Sequence, residues 1–345
     1  MGFKNDTVQV QLELQTYPYL DFFKALGLLC VILAHVDAPR AVVFFRSFDV
    51  PFLVMISASL ASLTDRNERY ISYVWKRVKR LILPAWLYLA FCTIVFTVLK
   101  VKSPSEMLPS FLFRKYQFGF VWIIFLYFVM ALTVPLLRRI FANCTQWRIL
   151  KKTMVAMLLI LGGVMFELIC INTDLYSISI MEYTFFYVVP YGIVSIFGII
   201  AVKVQRKWLF VLSVFFIVIT AVCSLCLYHT QGLIVRPNAF TQPARFYYIS
   251  FCLAVGFLFY ALFRDRNWKL FSSPVIVFLS RHSLWIYLWH SFVNLIVFKI
   301  SDFWLLRYVM TIAFSCLIVF AQNLIVNCIQ TESRAGKEVL KFFKG

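Results

Sequence analysis

The sequence predicts an all-α, polytopic integral membrane bundle of about ten transmembrane helices, with both termini cytoplasmic. Three observations predict it. Hydrophobic residues make up 62% of the chain and charged residues only 14%, whereas a soluble domain carries roughly a quarter charged residues to cover its surface. The mean hydropathy is +0.83, which excludes intrinsic disorder as firmly as it excludes a soluble fold. The 34 Lys and Arg against 15 Asp and Glu, a formal charge of +19, lie mainly between apolar runs. They therefore read as a topology signal rather than a nucleic-acid surface.

A window of about 20 residues spans the roughly 30 Å of hydrocarbon in a bilayer. It selects 19–38, 43–63, 81–99, 118–137, 153–171, 183–202, 208–228, 246–263, 279–298 and 303–327, the second and ninth being interrupted by polar residues. In hydrocarbon each backbone group must be satisfied within its own segment, so these are helices. The N-terminus, alternate connections and C-terminus hold 23 Lys and Arg and the opposite set of connections 9. By the positive-inside rule the richer set is cytoplasmic.

The chain therefore divides into a cytoplasmic N-terminal segment 1–18, a membrane domain 19–327 and a basic cytoplasmic tail 328–345. Residues 1–18 lack the apolar stretch and small-residue cleavage site of a signal peptide, so no cleaved leader is expected. The connections are too short for an extramembrane domain, and neither a repeat nor a low-complexity stretch is present. Gln231–Arg245 and Lys100–Tyr116 read as outer surfaces. The nine cysteines lie mostly within apolar runs, and Cys223/Cys226 is the one CxxC-like pair. No disulfide framework and no metal site are expected. The chain has no HExxH, GxSxG or Walker loop, which removes the usual support for metal, nucleotide and lipase-like chemistry.

An ionisable side chain within a span costs about 2.5–3.5 kcal/mol on insertion scales and is a functional candidate by default. The candidates are Asp21, Lys24, His35, Glu167, His290 and Arg307. Lys24 and His35 are eleven residues apart; at 100° per residue they project from one helix face, separated by a rise of about 16 Å. Asp21 lies one turn before Lys24. Two readings of this face stand open. Asp21 and Lys24 form a boundary ion pair with His35 at the far helix end, or the three line one cavity in which His35, a neutral imidazole at ambient pH, deprotonates a hydroxyl. Arg77 and Arg80 in WKRVKR either anchor the chain at the cytoplasmic face or clamp phosphates. His290 reads as a core histidine with a hydrogen-bonded partner, His282 as headgroup-facing and His229 as interfacial. Glu167 and Arg307 either pair with each other or line an acceptor pocket, and Ser57 and Ser59 are small residues that permit close helix packing.

Four features in chain order resemble the membrane acyltransferase-3 family, which includes O-acetyltransferases of bacterial cell-surface polysaccharides. The family's Asp-x-x-Arg followed by His eleven residues after the Arg is similar to Asp21-Phe-Phe-Lys24 and His35. Lys24 stands where Arg is usual; it keeps the charge and loses the planar fork. The Pro-Leu-Phe-Phe-x-x-Ser-Gly signature resembles Pro51 to Ala58, with Ser57 retained and Ala58 in place of Gly. Arg-x-x-Arg followed by Pro is matched by Arg77, Arg80 and Pro84, and Ser-Leu-x-Ile-Tyr-x-x-His by Ser283, Leu284, Ile286, Tyr287 and His290.

The resemblance covers essentially the whole chain, as the form without an extra periplasmic domain. It implies an integral membrane O-acyltransferase of a bacterial inner membrane. The acyl group, most often acetyl, would pass from cytoplasmic acyl-CoA to a hydroxyl of an envelope polysaccharide or lipid-linked glycan, with no tightly bound cofactor. It implies His35 as general base, or as a transiently acylated carrier, Lys24 and Asp21 beside the reacting group, and Arg77 and Arg80 at the donor phosphates. Ser57, Tyr287, His290, Glu167 and Arg307 are candidates for the acceptor. The rival readings are a transporter or flippase of a glycan or lipid intermediate, since ionisable residues in spans also mark transport paths, and a non-catalytic sensor that binds a ligand in the bundle.

Overall fold

The computed structural model describes residues 17–64, 69–114, 118–141, 144–147, 149–172 and 185–329, with single positions 336, 340 and 343 of the tail. The expected N-terminal segment to residue 16, the connection around 173–184 and most of the basic tail lie outside the described residues. Helix α1 (Pro18–Leu33) opens with proline in its first turn, where the missing N–H is an orphan in any case. It stops short of the expected residue 38. The last turn tightens, with the His35 N–H donating to the Ile32 carbonyl at 3.0 Å. Asp37 then takes a left-handed φ of 53°, and Pro39 cannot continue the helix.

The polar residues in the second and ninth expected spans mark real breaks. The second is α2 (Arg40–Arg46) followed by α3 (Asp49–Leu63). Ser47 turns its hydroxyl back onto the Val43 carbonyl at 2.6 Å, and Pro51 has no N–H to give the turn before it. The third begins as α4 (Tyr70–Arg77), passes through a π-helical turn, Val78–Ile82, and continues as α5 (Leu83–Val98). There follow α6 (Pro104–Phe111), a 3₁₀ turn at Phe118–Phe120, α7 (Trp122–Phe141), α8 (Ile149–Asn172), α9 (Phe185–Ala201), α10 (Arg206–Gln231) and α11 (Phe246–Phe263). The ninth expected span is α12 (Pro274–Arg281) and α13 (Ser283–Ile300), broken at His282, and α14 (Trp304–Cys328) closes the bundle. The described residues contain no β-strand, only an isolated bridge between Thr241 and Ala244. Among them, seven helical runs are long and apolar enough to cross a membrane: 40–63, 70–98, 118–141, 206–231, 246–263, 283–300 and 304–328.

Helix α3 is the hub, packed against α1, α7, α9 and α11. Glycines on three neighbours admit it: a Cβ at Gly27 would meet Leu53 at 2.6 Å, one at Gly256 would meet the Met55 sulfur at 2.8 Å, and one at Gly198 would collide with the Met55 carbonyl. Small residues at helix crossings are how apolar helices gain contact when lipid is as apolar as their own side chains. A polar stitch crosses the same place. The Tyr260 hydroxyl donates to Ser59 at 2.6 Å, and Ser59 to the Gly198 carbonyl at 2.8 Å. Rings of Phe23, Phe52, Phe259 and Tyr260 pack around the α1–α3 crossing at centroid distances of 5.1 to 6.0 Å.

Candidate active site

Helix α1 packs against α3, α12, α13 and α14, so its polar face looks into the bundle. At the end where α1 stops, three contacts hold His35. Its backbone carbonyl accepts the Asn294 side-chain N–H at 3.1 Å, and Asn294 in turn accepts the Thr311 hydroxyl at 2.7 Å. Phe120 stacks on its ring at a centroid distance of 3.8 Å and 25°. His290 Nε2 lies 3.2 Å from His35 Nδ1.

One pair of neutral tautomers fits this hydrogen-bond chain. His290 Nδ1 contacts the Tyr287 carbonyl, which only accepts, so Nδ1 carries the proton and Nε2 of the neutral ring has the lone pair. The short distance from that lone pair then requires His35 Nδ1 to be the donor. With these tautomers His35 Nε2 carries no proton, the state a general base needs. Tyr287 ties the arrangement to the covering ring by donating to the Phe120 carbonyl at 2.7 Å. That turn is held in uncommon backbone geometry, with φ of 83° at Gly119 and 50° at Phe120.

The other end of the α1 face collects Asp21, Lys24 and Arg80. Asp21 accepts the Ser280 hydroxyl at 2.5 Å. Lys24, half-buried, feels both the Asp21 carboxylate and the Arg80 guanidinium. Arg80 sits in the π turn, whose wider winding re-aims the side chains that an α-helical reading of Arg-x-x-Arg would place one turn apart. Arg77, just before the π turn, covers the Tyr73 ring at 4.8 Å.

The remaining candidates are dispersed. Ser57 is exposed and bonds the Leu53 carbonyl of its own helix at 2.9 Å, while the buried serine of that helix segment is Ser59. Glu167 and Arg307 do not pair with each other. Glu167 takes Arg245 and the Phe246 N–H, and Arg307 takes Asp37 at 3.0 Å, Asp302 at 2.9 Å and the Ser301 carbonyl at 2.5 Å. Their partners sit at helix ends, where the charges are satisfied locally. His229 is exposed in the last turn of α10, and His282 lies at the α12–α13 break beside Asn323.

The structure adds residues that the sequence reading passed over. Arg46 and Asp49 form an ion pair at 2.5 Å with side chains only 10% and 4% exposed, at the break between α2 and α3. Asp49 Oδ1 also accepts the Val50 N–H at 2.8 Å. Helix α3, whose first turn holds Asp49, packs against α7 and α9, the helices that carry Tyr127 and Tyr191. A signal was present in the sequence, since Arg46 and Asp49 are ionisable and fall within the expected span 43–63.

Two clusters, one at each end of a single helix face, suit a reaction between substrates arriving from opposite directions. The model of the acyltransferase-3 family, described as an acyltransferase domain, matches residues 17–324. Comparison with curated proteins and with solved structures returned no match.

Proposed function

This chain belongs to the acyltransferase-3 family and is a multi-pass membrane acyltransferase, and from that premise we propose that it moves an acetyl group from acetyl-CoA to a hydroxyl of an envelope polysaccharide or lipid-linked glycan. The observation that carries the reading is the His290–His35 pair, which leaves His35 Nε2 free of a proton beneath Phe120. In this reading the protein lies in a bacterial inner membrane with both termini cytoplasmic. Arg77, Arg80 and Lys24 then meet the donor on the cytoplasmic side. Arg80 and Arg77 hold its phosphates, and Lys24, about 16 Å before His35 along α1, guides the long pantetheine arm toward it.

His35 Nε2 takes the proton of the acceptor hydroxyl as its oxygen attacks the thioester carbonyl. The carbon–sulfur bond breaks, the acetyl group is left on the acceptor oxygen, and the CoA thiolate recovers a proton. A transiently acylated His35 Nε2 uses the same lone pair as nucleophile. Asp21, held by Ser280, lies one turn before Lys24 and positions it.

The test is transfer of radiolabelled acetyl from acetyl-CoA into membrane glycan by proteoliposomes. Wild type should label glycan, His35→Ala should lose at least about 100-fold of that rate, and Arg80→Ala should raise the KM for acetyl-CoA. Equal labelling by wild type and His35→Ala would remove His35 from the chemistry; glycan carried across the membrane without acylation would favour the transporter reading.

A further inference from the structure

Near the His35 end of the bundle, the buried Arg46 Nε, Tyr127 hydroxyl and Tyr191 hydroxyl have no hydrogen-bond partner among the described residues. They come from three different elements, α2, α7 and α9. One ion pair links them, since Arg46 is bonded to Asp49 in the first turn of α3, and α3 packs against α7 and α9, the helices that carry the two phenols. Leaving a buried donor or acceptor unpaired costs about 1–3 kcal/mol each. A cluster of such atoms around one carboxylate is the arrangement expected of a site that pairs them with a ligand.

The chemistry of the cluster defines that ligand. Arg46 Nε–H donates, the two phenols donate or accept, and Asp49 retains acceptor capacity after its bonds to Arg46 and Val50. The Arg46 and Asp49 charges cancel. An anionic ligand therefore gains no net attraction, and a bare cation likewise, whereas a ring of neutral hydroxyls can satisfy every group. Building on the acyl-transfer reading above, we propose that Arg46, Asp49, Tyr127 and Tyr191 form the acceptor subsite, and that it selects an uncharged sugar unit over an acidic one. Tyr127 lies near the start of α7, which begins two residues after Phe120, the ring stacked on His35; this puts the subsite beside the base, where one hydroxyl of the bound sugar meets Nε2 while its neighbours are held by Tyr127 and Tyr191.

The experiment uses the full chain in proteoliposomes, radiolabelled acetyl-CoA, and octyl glycosides of neutral hexoses with octyl glucuronide as the acidic counterpart. Tyr127→Phe and Tyr191→Phe remove only the unpaired oxygens. Each should raise the KM for the best neutral glycoside by about threefold to tenfold, the worth of one neutral hydrogen bond. The KM for acetyl-CoA should stay unchanged, and the melting temperature of the unliganded protein should be equal or higher, since a desolvated orphan has been removed. That combination of weaker acceptor use without loss of stability is what a structural hydroxyl cannot produce. Wild-type acceptor KM in both variants, a fall in melting temperature in both, or preference of wild type for the glucuronide would each overturn the subsite while leaving acyl transfer intact. Transfer to no glycoside and to no membrane glycan would instead overturn the acyl-transfer reading, and the subsite with it.

Discussion

In the proposed reaction His35 acts as a base through its neighbour rather than through its own position. Its Nε2 lone pair is available because His290, oriented by the Tyr287 carbonyl, takes the proton of His35 Nδ1 as a hydrogen bond. His290 is thus a positioning residue. His290→Leu should lower kcat by about tenfold to a hundredfold, part of the 10² to 10⁴ that general-base catalysis supplies, with the KM for acetyl-CoA unchanged. His290→Gln, whose amide oxygen can accept from Nδ1, should recover part of the loss. A Gln variant no better than Leu would show that His290 acts only as packing. His35, Lys24 and His290 were legible as single residues, because ionisable groups in apolar runs are rare enough to stand out, whereas Arg80 and Tyr287 were legible through the motifs they resemble. The pairing of His35 with His290 was not, because 255 positions separate them and no local spacing encodes a contact across two helices.

At the scale of elements, close helix crossings organise the site. The α3–α9 crossing depends on Gly198, where an added Cβ would strike the Met55 backbone rather than a flexible side chain. Gly198→Ala should therefore destabilise the protein by about 1–3 kcal/mol, the usual cost of overpacking. The check is its melting temperature in detergent, which must fall below that of wild type. An equal substitution at Gly192, where an added Cβ would meet nothing within 4 Å, serves as the control. Several basic residues counted as topology signals have a second task. Arg264 donates to the carbonyls of Ala201 and Val204 at 2.8 and 2.7 Å, Arg206 to Ala261 at 2.7 Å, and Arg138 to Thr64 at 3.2 Å. Each meets the C-terminal end of a helix or the turn just beyond it, where orphan carbonyls and the helix dipole favour a cation. The composition showed the charge bias; the capping depends on which helix ends lie side by side.

For the whole molecule, the proposed reaction has donor and acceptor approach from opposite faces, one at each end of α1. The charge count predicts the face: the Asp21–Lys24–Arg80 end cytoplasmic and the His35 end outward. Single cysteines in a chain with its native cysteines removed test this. With a membrane-impermeant maleimide on intact cells, Ser301→Cys, in the turn bonded to Arg307, should label. Arg266→Cys, between α11 and α12, should label only after permeabilisation. Labelling in the reverse order would invert the bundle and place acetyl-CoA at the wrong end for Arg80.

The sequence by itself determined the class of molecule. Composition leaves no alternative to apolar helices in a bilayer, and four short motifs in order, matched over residues 17–324, place the chain among acyltransferases. These signals are local, written in runs of about 20 residues or in spacings within one helix. Tertiary structure alone decided where helices break, at Ser47 and His282, and which ionisable groups share a site. It parted Glu167 from Arg307, brought Arg80 to Lys24 through a π turn, and enclosed the Arg46–Asp49 pair among tyrosines from other helices. Such groupings arise from packing distant segments around α3, and only the folded bundle makes them neighbours.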